Sequence, residues 1–314
     1  MAILLTGGTG KTSIRVARFL QNDNIPFLLA SRRGQSAAPP DMPAVKFDWL
    51  DKDTWRIPFD YKFVNDQVIS AIYLMEPQAP EPWKPLNEFV DYALEKHGVR
   101  RFVLVAGSSA ECGKPGMGMV WQHFLDRKVD YCVLRPSWFM GEQPKTLIGN
   151  SRGRDSADVA HWLENLTEEG PHQLIRDQSK IYTACGQGKI PFVSATDIAA
   201  VAYRALTDPD PHNCDHRVLG PELLMYDDIA EKLSHVLGRT IEHVKLSGEE
   251  RYQGLVNTGV SDYYAGFLTK LEVAASTGFE TRENNEVEKV TGRPPRSFDL
   301  FAQENRSVWI PEGK

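Results

Sequence analysis

Cysteine is scarce. The chain of 314 residues has four, Cys112, Cys132, Cys185 and Cys214, far apart and without a C-x-x-C pair. With no histidine in zinc-ligand spacing beside them, neither a disulfide framework nor a metal site is expected. His123 and His161 likewise lack ligand-type neighbours in sequence, so no metal is assigned. Long apolar runs are missing too: the longest uncharged one, Val68–Met75, falls far short of the roughly 20 residues a membrane helix requires. No run of Lys or Arg exists, and 36 basic against 42 acidic residues give a net charge of −6, which argues against nucleic-acid binding. No basic segment precedes the first apolar residues, and Gly7 and Gly8 follow almost at once. That opening reads as a buried first strand rather than a signal peptide, and reduced thiols fit a cytoplasmic protein.

What is present suits a large core, since 41% of residues are apolar and 10% aromatic. Short runs nearly continuous in Val, Ile, Leu and Phe recur at Ala2–Thr6, Pro26–Ser31, Ala44–Asp48, Gln67–Leu74, Arg100–Ala106 and Asp130–Arg135. Helical patterns lie between them at Lys11–Asn22, Pro85–Lys96 and Met117–Arg127. The alternation predicts an α/β fold, a doubly wound parallel Rossmann sheet with strands covered on both faces. After Arg135 the texture turns polar and glycine-rich, with a helical stretch near Ser156–Thr167. A run Pro191–Ala195, a helix Asp197–Leu206, a strand His216–Leu219 and a helix Tyr226–Leu237 follow. Asp197 reads as a first-turn acid of its helix. We expect a nucleotide-binding domain over 1–140. A smaller, partly interleaved substrate lobe is expected over 141–314, with about 191–206 returning to the first domain.

Between the first strand and first helix stands Thr6-Gly7-Gly8-Thr9-Gly10-Lys11-Thr12-Ser13. Gly10-Lys11-Thr12 has the look of a triphosphatase loop, but that motif needs another Gly at the position held by Leu5. The remaining reading is a dinucleotide turn with Ser13 where a third Gly is usual. Glycine permits positive φ there and lets backbone amides approach a pyrophosphate. At the end of the second strand, where an NAD-binding protein places an acid, this chain reads Ala30-Ser31-Arg32-Arg33-Gly34. Two guanidinium groups and a hydroxyl suit a 2′-phosphate, so NADP(H) is the expected cofactor.

At this point the chain resembles the NmrA-like atypical short-chain dehydrogenase/reductases. The resemblance continues through Phe47-Asp48-Trp49, Leu134-Arg135-Pro136-Ser137-Trp138-Phe139-Met140, Pro191–Ala199 and Asp227–Arg239. Leu4–Ser13 and Ile25–Arg33 look like the fungal festuclavine and agroclavine dehydrogenases, which reduce a cyclic iminium with NADPH. It also reaches NmrA-like enzymes of prenylated-indole pathways that direct a [4+2] cyclisation, as in the citrinadin route. The cofactor site so implied takes in Thr6, Gly7, Thr9, Gly10, Lys11, Thr12, Ser31, Arg32, Arg33, Asp48, Trp49, Met75, Ser108, Pro136, Ser137 and Phe139. The resemblance places Asp48 at the adenine and Pro136–Phe139 beside the nicotinamide. A small alkaloid is the implied partner.

Conventional short-chain dehydrogenases carry a Ser, a Tyr about thirteen residues on and a Lys four further. Counting from Ser108 gives Trp121 and then Leu125, neither of which can donate a proton. The Y-x-x-x-K spacing does occur at Tyr92–Lys96, but ahead of the Arg100–Ala106 strand, where it reads as chance. A substrate that needs no proton donor is a C=N⁺ cation. Trp121, Trp138 and Phe139 are candidate pocket walls, with core packing the competing reading. Glu76 and Glu142 are candidate counter-charges, with a solvated carboxylate the competing reading. The leading expectation is an NADPH-dependent reductase of an iminium in alkaloid biosynthesis. Alternatives are a nucleotide-binding cyclase and an NADP-sensing binding module.

Overall fold

Runs of Leu, Ile and Val with no polar break become strands buried on both faces, and here they pair in parallel. The computed structural model describes residues 1–77, 79–140 and 171–310. Its strands are β1 (Ala2–Thr6), β2 (Phe27–Ser31), β3 (Ala44–Lys46), β4 (Ile69–Leu74), β5 (Arg101–Val105), β6 (Asp130–Leu134), β7 (Lys180–Thr183), β8 (Cys214–His216) and β9 (Glu242–Lys245). Seven form a sheet in the order β3-β2-β1-β4-β5-β6-β8, and every pairing in it is parallel. The order reverses between β1 and β4, the switch point at whose carboxyl edge open α/β sheets bind ligands. Register aligns those carboxyl ends: Leu5 sits beside Leu29 of β2 and Tyr73 of β4.

The chain divides into two compact units. The first comprises Met1–Pro136, Thr196–Val218 and Lys289–Gly292. The second comprises Ser137–Ala195, Leu219–Glu288 and Arg293–Lys314, of which 141–170 and 311–314 lie outside the described residues. The expected boundary at 140 therefore falls at Pro136. The returning segment is longer than 191–206 because it carries β8 as well as a helix.

The first unit's helices follow from apolar spacing. Helix Trp83–His97 buries Leu86, Phe89, Val90 and Ala93 at i, i+3, i+4 and i+7, and stops at Gly98 with φ +69°. Helix Met117–Arg127 buries Met117, Val120 and Phe124 and ends at Lys128 in the left-handed region. Phe89 is fully buried and meets Phe47, Trp49 and Trp55 edge-on, at centroid distances of 5.0, 5.3 and 5.4 Å. Truncating it to Ala would cost about 3–5 kcal/mol.

The second unit has its own core, built on Trp138, Phe192, Tyr226, Phe298, Phe301 and Trp309. Gly220 is obligatory in it, because a Cβ there would lie 1.7 Å from the Phe192 carbonyl oxygen. A two-stranded parallel sheet pairs β7 with β9; β7 has no clear signature, being four residues of mixed polarity. One expectation needs correction. The strand expected at His216–Leu219 is Cys214–His216, because its register is set by pairing with Cys132–Leu134 rather than by its own hydrophobicity. The run Pro191–Ala195 makes only an isolated bridge, Phe139 to Val193. The expected Ser156–Thr167 helix lies outside the described residues.

Candidate functional site

The glycine turn is shaped by three separate requirements. Gly7 has φ +58°, a left-handed conformation that L side chains rarely adopt. Gly8 donates its amide to the Ala30 carbonyl at 3.0 Å, so close to β2 that a Cβ would lie 2.6 Å from the Ala30 nitrogen. Gly10 closes the turn, its amide bonded to the Gly7 carbonyl at 2.7 Å, and caps helix Lys11–Asn22. This cap supplies no side-chain acceptor, and no acid lies in the helix's first turn. The first amides of a helix have no partner within it, and its dipole favours an anion at that end. The turn therefore fits a pyrophosphate held by the Lys11–Ser13 amides.

Side chains around the turn face inward. Thr6 donates its hydroxyl to the Tyr73 carbonyl at 2.8 Å and accepts from the Met75 amide at 2.9 Å, clamping β1 to the end of β4. Ser13 donates to the Thr6 carbonyl at 3.0 Å, and Thr12 points its hydroxyl at the Met75 sulfur at 3.8 Å. Lys11 is buried as well, while Thr9 is half-buried. The hydroxyls of Thr6 and Thr12, both expected at the cofactor site, knit the turn to the end of β4.

At the carboxyl end of β2, Arg32 and Arg33 are exposed, and the Ser31 hydroxyl oxygen is buried without a hydrogen-bond partner among the described residues. A buried hydroxyl left in that state is costly unless a ligand satisfies it. After β3, Asp48 accepts the Leu50 amide at 3.0 Å in a local turn, and the Trp49 ring meets Phe47 edge-on at 4.9 Å. Glu76, just past β4, is exposed by area. Protein crowds its carboxyl all the same, and the loss of water pushes its pKa up.

Past β5, the Ser108 carbonyl accepts from Arg135 Nη2 at 3.1 Å. The Arg135 guanidinium also lies 5.8 Å from the centroid of the half-buried Trp121 ring. Leu125, one turn beyond Trp121, is 42% exposed, so the position where a conventional enzyme carries its lysine is an open apolar side chain. Tyr92 is half-buried among Trp55, Phe59 and His97, an aromatic packing role that accounts for its presence.

The chain is 39% identical to agroclavine dehydrogenase of Claviceps fusiformis over 99% of either chain. It is 39% identical to festuclavine synthase II of Penicillium roqueforti, over 98% of this chain and 100% of that one. Festuclavine dehydrogenase of Aspergillus fumigatus is 38% identical over 99% of each. The chain belongs to the agroclavine and festuclavine dehydrogenase family. No family model matches it. Among solved structures, Citrobacter sp. triphenylmethane reductase complexed with NADP(H) superposes with a TM-score of 0.72 at 18% identity, covering 96% of this chain and 99% of that one. An NADPH-dependent quinone oxidoreductase of Escherichia coli complexed with NADPH gives 0.72 at 18% identity, covering 98% of each. They share the Rossmann fold with this chain.

In this family member Pro136 and Asp197 belong to the first unit, and the other remaining expected residues fall in the second. The Ser137 hydroxyl is buried and has no hydrogen-bond partner among the described residues. Trp138, expected as a pocket wall, is 6% exposed and packs on Tyr226 at 6.5 Å, so its ring belongs to the second core. Phe139 between them is half-buried, held where the Val193 amide bonds to the Trp138 carbonyl and the Met140 amide to the Val193 carbonyl, both at 2.9 Å. Pro136 closes the first unit and is buried. Glu142 lies outside the described residues. Asp197 occupies the first turn of helix Ala195–Thr207 and is fully buried.

Two features escaped the sequence reading. Arg135, buried to 6% exposure, organises the loop after β5 through Asp215, which pairing with β8 brings near. The expectation that no histidine accompanies the cysteines is also wrong. Cys132, His212 and His216 converge, because β6 and β8 are neighbours although paired positions such as Leu134 and His216 stand 82 residues apart in the chain. The H-x-C-x-H spacing of residues 212–216 was the available signal. No helix among the described residues is long and apolar enough to cross a membrane.

Proposed function

We propose that this chain is an NADPH-dependent reductase that saturates the C=N⁺ bond of a cyclic iminium in fungal alkaloid biosynthesis. The observation that carries the reading is the pair Trp121 and Leu125 at the positions of the usual proton donor and its lysine. The family supports an oxidoreductase: its relatives are dehydrogenases named for agroclavine and festuclavine.

Reduction of an iminium calls for no acid. Hydride adds to the electrophilic carbon, the π pair moves onto nitrogen, and a neutral amine results. NADPH held at the glycine turn would supply that hydride. The chain's own residues bind and orient. The Lys11–Ser13 amides would hold the pyrophosphate, Ser31, Arg32 and Arg33 the 2′-phosphate, and Asp48 the adenine end. Trp121, with the Arg135 guanidinium over one face of its ring, would leave its other face to a cationic substrate, and Glu76 would offer a compensating charge. Orientation of this kind lowers the barrier without proton transfer.

The test is a turnover assay with NADPH deuterated at its transferable hydrogen and a panel of indole-derived cyclic iminium compounds. Deuterium on the former iminium carbon, with NADPH consumed in equal amount, supports the reading. Product free of deuterium that forms equally well with NADP⁺ would overturn it in favour of ring closure without reduction.

A further inference from the structure

Cys132, His212 and His216 present one ligand atom each, a thiol sulfur and two ring nitrogens, all within 4.8 Å of one another. The cluster sits where β8 forms one edge of the main sheet and pairs with β6, Cys132 beside Cys214 and Leu134 beside His216. Cys132 is 1% exposed and His216 6%, while His212 is half-buried on the approach to β8. We propose that these three side chains bind a thiophilic divalent cation, Zn²⁺ foremost, which ties the edge strand to the sheet.

With both rings neutral, the hydrogen bonds assign the protons. His212 Nε2 lies 3.1 Å from Asp208 Oδ2, and Arg204 donates to both oxygens of that carboxylate, at 2.6 and 3.2 Å. A carboxylate so placed accepts, so His212 carries its proton on Nε2 and turns a lone pair outward on Nδ1. His216 Nε2, 2.8 Å from that lone pair, must then be the donor. Two ring nitrogens thus converge on one proton, beside a thiol. A tetrahedral Zn²⁺ with its usual bonds sets two nitrogens about 3.3 Å apart, so the rings need to part by only about 0.5 Å. Cys214 Sγ, 3.7 Å from His216 Nε2, sets a second thiol beside the three ligands.

The outer contacts match as well. A carboxylate on the far nitrogen of a ligating histidine orients the ring and raises its basicity, which is what Asp208, steadied by Arg204, does for His212. One sulfur and two imidazoles select zinc and copper over magnesium and calcium. Binding is balanced by the loss of one proton: the Cys132 thiol releases its proton to water, and His216 shifts its own from Nε2 to Nδ1. Strand alternation sets Asp215 on the opposite face from Cys214 and His216, where it holds Arg135. A cation at this edge therefore fixes the strand that positions Asp215. It stabilises the fold in proportion to its binding.

The experiment uses the full chain, reduced and stripped with a chelator, titrated with Co²⁺ as a spectroscopic stand-in. The expected result is saturation at one Co²⁺ per chain, with a thiolate-to-cobalt charge-transfer band and the intense visible bands of a tetrahedral ion. Zn²⁺ should displace it, and either metal should raise Tm. Cys132→Ser should abolish the charge-transfer band. His212→Gln, at a half-buried position that tolerates change, should weaken binding at least about tenfold if Cys132→Ser fails to fold. Failure to saturate, or binding that both variants leave unaltered, overturns the proposal. Neither result bears on the nucleotide site.

Discussion

Arg135 and Asp215 form an ion pair at 2.9 Å in which the arginine side chain is 8% exposed and the aspartate 31%. The same guanidinium holds the Ser108 carbonyl and covers Trp121. One buried cation thus fixes the loop after β5, and a strand far away in sequence supplies its counter-charge. Removing that counter-charge strands the arginine. Asp215→Ala should cost about 3 kcal/mol, the low end for a broken buried pair because Asp215 keeps some water. Chemical denaturation measures it, and a cost under about 1 kcal/mol would contradict this account.

The two arginines after β2 set a prediction about cofactor choice. Arg32→Ala with Arg33→Ala should weaken NADPH by at least about tenfold and leave NADH nearly unchanged. Charge-assisted bonds contribute about 1.5–3 kcal/mol each, and the exposure of both side chains reduces that. Calorimetric titration with both nucleotides decides it, and equal losses would refute the 2′-phosphate role.

The glycines of the turn are not equivalent. A Cβ on Gly8 meets the Ala30 nitrogen at 2.6 Å and Leu29 as well, whereas on Gly10 it meets only the Gly7 carbonyl oxygen, at 2.9 Å. Gly8→Ala should therefore lower Tm more than Gly10→Ala. Gly10→Ala should lose nucleotide affinity while keeping its circular dichroism. The reverse order of Tm values would mean that β2 yields more readily than the turn.

The vacant proton-donor position sets a prediction about mechanism. An alkoxide-forming reductase gains about 10²–10⁴ in rate from its acid, but an amine-forming one has nothing to protonate. Installing the pair with Trp121→Tyr and Leu125→Lys should not accelerate turnover, and Tyr92→Phe should leave it unchanged. Trp121→Ala should reduce turnover or stereochemical purity. A faster double variant would point to a carbonyl substrate.

Glu76 links charge to pH. Desolvation raises its pKa above the ordinary 4.5, so at neutral pH the folded state carries a carboxylate in an environment that disfavours it. The folded state then binds the proton more readily than the unfolded one. Stability from this group accordingly rises as pH falls through the raised pKa, and levels off below the ordinary value. Glu76→Gln should raise Tm slightly at neutral pH, with the gain vanishing in acid. The same change should raise KM for a cationic substrate. A lowered Tm at neutral pH, with KM unchanged, would assign the carboxylate a purely structural role.

Whatever depended on short-range signals was legible in the sequence. Helices Lys11–Asn22, Met117–Arg127 and Tyr226–Leu237 stand where apolar spacing sets them. Strand β1 and its glycine turn follow from residues adjacent in the chain, since a helix period or a positive φ is a local property. The parallel sheet was legible for the same reason: its strands are apolar on both faces. Only the tertiary structure decided which side chains meet. Strand order sets β8 beside β6, and that single neighbour relation gives Arg135 its aspartate and Cys132 its histidines. It also displaced β8 itself from His216–Leu219 to Cys214–His216, since a strand of mixed polarity takes its register from its partner. Trp138 went to a core rather than a wall because Tyr226 and Phe192 close around it, and one sequence carries no mark of that enclosure. Local conformation is written in neighbouring residues. Proximity across the fold is a property of the packed chain.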